Sequence, residues 1–177
     1  KEYYDKANDY SDDGEYQLAI DNFTRAIRID PDYANAYYNR GWSYDELGNY
    51  EDAIADYTRA IRIDPDYVNA YVNRGLAYYS LENDEDAIAD YTRAIRIDPD
   101  DADAYVNRGV TYRKLGNYED AISDYTRAIR IDPDYASAYK NRGISKENAG
   151  LPYCSDYKRA CDLGKEECCE WYYKQCR

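Results

Sequence analysis

The sequence predicts an all-α solenoid of antiparallel helix pairs, closed by a C-terminal capping helix. Three observations predict it. The hexamer AYVNRG stands at Ala70–Gly75 and again at Ala104–Gly109, flanked by AYYNRG ending at Gly41 and AYKNRG ending at Gly143, so the four glycines recur every 34 residues. Asp-Pro pairs keep the same period at Asp30-Pro31, Asp64-Pro65, Asp98-Pro99 and Asp132-Pro133. Within each period two helical stripes are separated by a turn signal. A fixed period in this range is the mark of a repeat solenoid, in which each unit buries its apolar face only against its neighbours.

The elements follow in order. Repeat 1 covers residues 1–33, repeat 2 covers 34–67, repeat 3 covers 68–101 and repeat 4 covers 102–135. In repeat 2, Tyr37, Gly41 and Tyr44 lie at i, i+4 and i+7, one face of a first helix. LGNYED (Leu47–Asp52) ends it, with Gly48 free to take positive φ and Asn49 placed to cap the next helix. Ala53, Tyr57 and Ala60 carry the second stripe, and Asp64-Pro65 stops it, because a residue before proline avoids the α region. Gly41 and Ala53 fall where the paired helices cross, with Tyr44 or Tyr57 as the bulky neighbour. DYTRAIRIDPD repeats intact at Asp56–Asp66, Asp90–Asp100 and Asp124–Asp134.

Residues 136–164 form a divergent fifth repeat, in which DYKRAC (Asp156–Cys161) follows DYTRAI (Asp124–Ile129) by 32 residues, implying a turn two residues shorter. Residues 165–177 form the closing helix that a solenoid needs over its last apolar face.

The unit resembles the tetratricopeptide repeat. That family's pattern of aromatic, small, aromatic, Ala, aromatic and Pro is filled by Tyr37, Gly41, Tyr44, Ala53, Tyr57 and Pro65, then by Tyr71, Gly75, Tyr78, Ala87, Tyr91 and Pro99, then by Tyr105, Gly109, Tyr112, Ala121, Tyr125 and Pro133. The first unit fits with Tyr3, Ala7, Tyr10, Ala19, Phe23 and Pro31, and the match runs over about residues 1–150. One departure is regular: Arg40, Arg74, Arg108 and Arg142 stand where the pattern has Leu. The resemblance implies a right-handed superhelix and a non-enzymatic protein-interaction scaffold. The family's Lys/Asn/Arg clamp for C-terminal carboxylates is not reproduced, since Trp42, Leu76, Val110 and Ile144 occupy slots a clamp Asn would use.

Composition narrows the function further. The net charge of −13 repels nucleic-acid phosphates and anionic membranes, so neither nucleic acid binding nor membrane insertion is expected. The chain has no His, which removes Ser-His-Asp, Cys-His and HExxH chemistry, and no phosphate-binding glycine loop appears. No enzyme and no cofactor is expected. Asp9–Ile20 mimics a calcium loop but places Ile20 where a bidentate Glu belongs, and the sequon Asn22-Phe23-Thr24 falls on an expected helix.

All five cysteines lie between Cys154 and Cys176. In an antiparallel helix pair, partners share an index sum, which pairs Cys154 with Cys176 and Cys161 with Cys169 and leaves Cys168 over; Cys161–Cys168 is the near alternative. Structural disulfides lead over buried thiols and over a thiolate metal site, for which no C-x-x-C pair exists. Oxidised cysteines place the chain in an extracytoplasmic compartment, periplasmic or secreted.

The groove-facing positions lie beside the packing stripe of the first helices. Asn39, Asn73, Asn107 and Asn141 form a ladder of amides that can grip a peptide backbone or, alternatively, bond neighbouring helices. Tyr38, Trp42, Val72, Leu76, Val106 and Val110 form an apolar strip between them, whose alternative role is packing beneath the next repeat. Arg113, Lys114 and Lys140 make one end basic, and Asp12, Asp45 and Glu46 make the other acidic. The recurrent arginines are expected to pair with an Asp such as Asp56 or Asp64. The leading function is a scaffold that holds an extended peptide or a helix in a concave groove. The alternative is a structural, self-associating or consensus-designed module with no dedicated ligand.

Overall fold

The computed structural model describes residues 1–176; Arg177, the last residue of the expected 165–177 capping helix, lies outside the described residues. Eleven α-helices and no strand occur among the described residues. They form two compact units, Lys1–Ile97 and Asp98–Arg177. The first holds α1 (Glu2–Asp12), α2 (Tyr16–Ile29), α3 (Ala34–Glu46), α4 (Tyr50–Ile63), α5 (Val68–Ser80) and α6 (Asp84–Ile97). The second holds α7 (Ala102–Lys114), α8 (Tyr118–Ile131), α9 (Ala136–Asn148), α10 (Cys154–Asp162) and α11 (Glu166–Gln175). Within each unit every helix packs on the next in sequence, the arrangement the 34-residue period predicts.

The helix pairs lock by bulk against gap. Ala53, Ala60, Ala87 and Ala94 are fully buried, and Tyr57 and Tyr91 are buried between them. A Cβ on Gly75 would lie 2.7 Å from Tyr91 Cε1, so the ring of α6 occupies the space that only glycine leaves on α5. Gly48 closes the turn between α3 and α4 at φ +75°, with its N–H donating to Asp45 O. Asp64 ends α4 in an extended conformation, φ −122° and ψ 96°, as a residue before proline must. Its carboxylate then accepts from Asp66 N at 3.1 Å, which fixes the turn into α5.

Two local expectations are corrected. Asn49 stands at the N-cap of α4 but makes no side-chain cap bond; at φ −88° and ψ 66° its side chain is not aimed at the first turn, and its carbonyl accepts from Ala53 N instead. Asp101, with extended ψ of 97°, does cap α7, accepting from Ala104 N at 3.0 Å. The junction into the fifth pair is not a shorter turn. Residues 149–153 join α9 to α10, and α10 has 9 residues against 14 in α8. Gly150 at φ +69° ends α9, and Pro152 bars its predecessor from the α region, so the missing residues come out of the helix.

Arg40, Arg74 and Arg142 each tie three helices. Arg40 on α3 donates twice to Asp56 on α4, at 2.7 Å each, and once to Thr24 on α2 at 2.8 Å. Arg74 repeats this with Asp90 and Thr58. In the second unit Arg108 grips Asp124 at 2.8 Å, and Arg142 grips Asp156 and Thr126. Each guanidinium also lies over a tyrosine of its own helix, Arg40 over Tyr37 and Arg74 over Tyr71. Arg59 and Arg93 cover the same rings from the following helix. Asp64 is not the partner; it is engaged in its own turn.

Candidate functional site

The candidate surface is the exposed side of the first helices, α1, α3 and α5 in one unit and α7 and α9 in the other. On α3, Tyr38, Asn39 and Trp42 face Asn8, Ser11 and Asp12 of α1 and line an open depression of about 410 Å³. The Asn39 amide donates to Tyr4 Oη at 3.0 Å and to Asn8 Oδ1 at 2.9 Å. Trp42 meets Tyr16 edge to face, with centroids 5.6 Å apart, and Tyr38 leans on Tyr57 and Tyr67. Burial lifts the Asp45 carboxyl above its ordinary value, with Glu46 beside it adding to the effect.

On α5, the Asn73 amide donates to Tyr38 Oη at 3.0 Å. Val72 is half-buried and Leu76 is 37% exposed, so this helix offers apolar surface beside the Asn73 amide.

The second unit differs in kind. Val106 is buried, at 7% exposure, and offers almost no surface, whereas Val110 remains half-buried. Asn107 and Asn141 are half-exposed, and no tyrosine stands on α7 where Tyr4 and Tyr38 stand on α1 and α3. The Asn141 side chain makes no hydrogen bond among the described residues, and neither does the buried Arg113 Nε. Lys114 is exposed at the end of α7. Lys140 reaches Glu167 of α11 at 3.1 Å, and Lys146 pairs with the buried Asp156 at 2.7 Å.

The amides that look alike in sequence are therefore of two sorts. Asn39 and Asn73 bridge adjacent first helices through tyrosine, while Asn141 keeps its full donor and acceptor capacity. Tyr4, Asn8 and Ser11 belong to the surface although sequence reading passed over them. The signal was the period itself, since Tyr4 and Asn8 precede Tyr38 and Trp42 by 34 residues.

At the far end of the second unit, Cys154 is bonded to Cys176 and Cys161 to Cys169, with Cα separations of 5.7 and 4.7 Å. Both bridges run between α10 and the α11 segment. Between them Trp171 stacks on Tyr157 at 4.4 Å, and Cys168 is buried as a free thiol whose ionisation burial pushes up. No group of three or more His, Cys, Asp or Glu among the described residues is placed to hold a metal ion. No described helix is long and apolar enough to cross a membrane.

Family models match along most of the chain: a TPR repeat at residues 7–48, 43–82 and 75–116, and a tetratricopeptide repeat at 102–135. Among solved structures, a crystal structure of MamA protein is similar at 26% identity, covering 93% of this chain and 91% of that one, with a TM-score of 0.85. A crystal structure of YrrB, titled a TPR protein with an unusual peptide-binding site, shares the fold at 22% identity, covering 97% and 90%, with a TM-score of 0.81. MamA 41-end from Desulfovibrio magneticus RS-1 shares it at 18% identity, covering 99% and 96%, with a TM-score of 0.79. No curated protein matches the chain in sequence.

Proposed function

The chain belongs to the tetratricopeptide-repeat family, and from that premise we propose that it is a non-enzymatic scaffold whose first helices hold an extended peptide or a helix. The family's fold implies protein or peptide partners. The observation that carries the finer reading is the make-up of the first-helix surface. Leu76 is exposed on it, Trp42 edges an open depression, and the Asn39 and Asn73 amides stand beside them, each bonded to a tyrosine of the preceding first helix. Such a surface takes backbone hydrogen bonds and apolar side chains together, without demanding one charge. YrrB, which shares the fold and is titled a TPR protein with an unusual peptide-binding site, supports a peptide as the partner.

The test is selection of binders from a random peptide library on the wild-type chain, followed by titration against Leu76→Asp and Trp42→Ala. Each substitution should weaken selected peptides by about tenfold, or 1.4 kcal/mol. No binders, or binders indifferent to both changes, would favour a structural or self-associating module without a dedicated ligand.

The two disulfides support an oxidising, extracytoplasmic location, periplasmic or secreted. Intact mass should rise by ~2 Da per bridge on reduction. The non-reduced chain should expose one alkylatable thiol, Cys168, only in denaturant. An unchanged mass would remove the compartment argument.

A further inference from the structure

The repeats are near copies of one another, yet one position on their first helices changes chemical class each time. Ser11, Asp45, Tyr79, Arg113 and Glu147 hold it in turn, at steps of 34 residues. The position stands by the hydroxyl of the packing tyrosine on the second helix. In repeat 5 the contact is direct, with Tyr157 Oη donating to Glu147 Oε2 at 3.0 Å. In repeat 2 the counterparts are Tyr57 and Asp45. The aspartate is one methylene shorter, and the bond is not made.

Both groups are left open. Tyr57 is fully buried, and its Oη has no hydrogen-bond partner. Burial first, and then the Asp45 charge, disfavour its ionisation, so the hydroxyl looks toward that carboxylate. The Asn73 amide nearby acts against this shift, but it is bonded to Tyr38 Oη at 3.0 Å. Asp45 is half-buried, and its carboxylate makes no hydrogen bond or ion pair among the described residues. Burial, with Glu46 beside it, raises the Asp45 carboxyl, as expected of a charge with no counter-ion. A buried hydroxyl and a half-buried carboxylate thus share one gap, and each lacks the partner that desolvation makes costly to lose. Trp42 precedes Asp45 by three residues and Tyr38 precedes Trp42 by four, so two aromatic rings stand on the same side of α3.

We propose that this gap is a subsite for the guanidinium of an arginine on the bound peptide. The subsite rests on the peptide reading and deepens it, adding one charge-selective position to a surface that otherwise demands none. A guanidinium carries five N–H donors in one plane. One edge donates to the Asp45 carboxylate, and a further N–H donates to Tyr57 Oη, which then no longer lacks a partner. Its flat face suits the aromatic side chains beside it, whereas the compact, strongly hydrated ammonium of lysine does not span two separate acceptors. The net charge of −13 draws cations toward the site.

The probe is Nα-acetyl-arginine amide, titrated into the wild-type chain and followed by amide NMR shifts, at low ionic strength where charges are least screened. Saturable shifts are expected around Asp45 and at Asn73. The citrulline analogue, neutral and nearly the same shape, should bind at least about tenfold more weakly. Asp45→Glu keeps the charge but supplies the missing methylene, so the new carboxylate should take Tyr57 Oη as Glu147 takes Tyr157 Oη. It should weaken arginine by about tenfold with unchanged helical circular dichroism. Glu46→Gln removes an exposed charge next door and should weaken it by no more than about threefold. Arginine that binds no better than citrulline overturns the proposal, and so does arginine that is indifferent to Asp45→Glu. Because the probe is a single blocked residue, its failure leaves the peptide reading standing, and a library without binders leaves this titration readable.

Discussion

Arg74 holds Asp90 through two guanidinium nitrogens, each 2.7 Å from a carboxylate oxygen, and the Asp90 side chain is only 8% exposed. Burial raises the Asp90 carboxyl, and Arg74 opposes that shift. For Arg74, burial is the largest influence and acts to lower its pKa, but the bond to Asp90, the Asp90 charge and the neighbouring Tyr78 and Tyr71 together outweigh it and raise the pKa. The pair is thus a buried charge held by its partner, and removing one side strands the other. Arg74→Leu should cost about 3–5 kcal/mol, while Arg74→Leu with Asp90→Leu should recover most of that loss. Urea unfolding of the two variants checks this. A single variant as stable as wild type would show that Asp90 is neutralised or hydrated without cost.

Gly75 and Gly143 occupy the same place in their repeats but should answer alanine with opposite signs. A Cβ at Gly75 meets Tyr91 at 2.7 Å, and that ring is 1% exposed with no room to move. At Gly143 the nearest atom, on Tyr157, is 3.4 Å away, an ordinary contact. Gly75→Ala should destabilise by about 1–3 kcal/mol through overpacking. Gly143→Ala should stabilise by about 0.5–1 kcal/mol, since helical glycine carries an entropic cost. Thermal melts in the same buffer decide it; equal shifts would mean the α9–α10 crossing is as tight as the others.

The same two glycines show what the sequence could and could not say. The period, the Asp-Pro stops and the small-against-large crossings were legible, because each is a local rule repeated four times. The loosened crossing at Gly143 was not, because it follows from where α10 lost its residues, and spacing alone suggested a shorter turn. The index sum of two facing helices read the same cysteine pairs that stand bonded in the cap. The amide ladder was legible only as a row of identical letters. Asn73 meets Tyr38 because α3 carries a tyrosine at that position, and Asn141 meets none because α7 carries Val106 there. What an asparagine does here is decided one repeat away, beyond the reach of any single-repeat motif.

Tyrosine burial sets an alkaline limit on stability. Burial, and secondarily Asp45, raise Tyr57 above the ordinary value of 10.0, and burial with Tyr79 does the same for Tyr91. Below pH 10 both folded and unfolded chains keep these protons, and stability is independent of them. Above it the unfolded chain ionises first and binds fewer protons, so stability falls as pH rises toward the folded-state values. Tyrosinate absorbance of the buried rings should therefore appear only together with the loss of helical circular dichroism. Complete titration while the helices persist would show that the core rings are reached by solvent.

Glu82 sits in a turn whose counterparts are glycines. Its φ is +60°, where Gly48 has +75° and Gly116 has +79°. The hydrogen bonds are the same: Glu82 N donates to Tyr79 O and Asn83 N to Tyr78 O, as Gly48 N does to Asp45 O and Asn49 N to Tyr44 O. The backbone therefore imposes one helix-ending conformation on three turns, and only in repeat 3 must an L side chain adopt it. That conformation costs a residue with a Cβ roughly 1–2 kcal/mol. Glycine escapes that cost but gains freedom in the unfolded chain, which returns about 0.4–1 kcal/mol of the difference. Glu82→Gly should thus raise stability by about 0.5–1 kcal/mol, read as a higher urea midpoint at unchanged slope. The converse, Gly48→Glu, should lower the midpoint by a similar amount. If Glu82→Gly left the midpoint at or below that of wild type, the left-handed turn would carry no strain, and the glycines at 48 and 116 would need another reason.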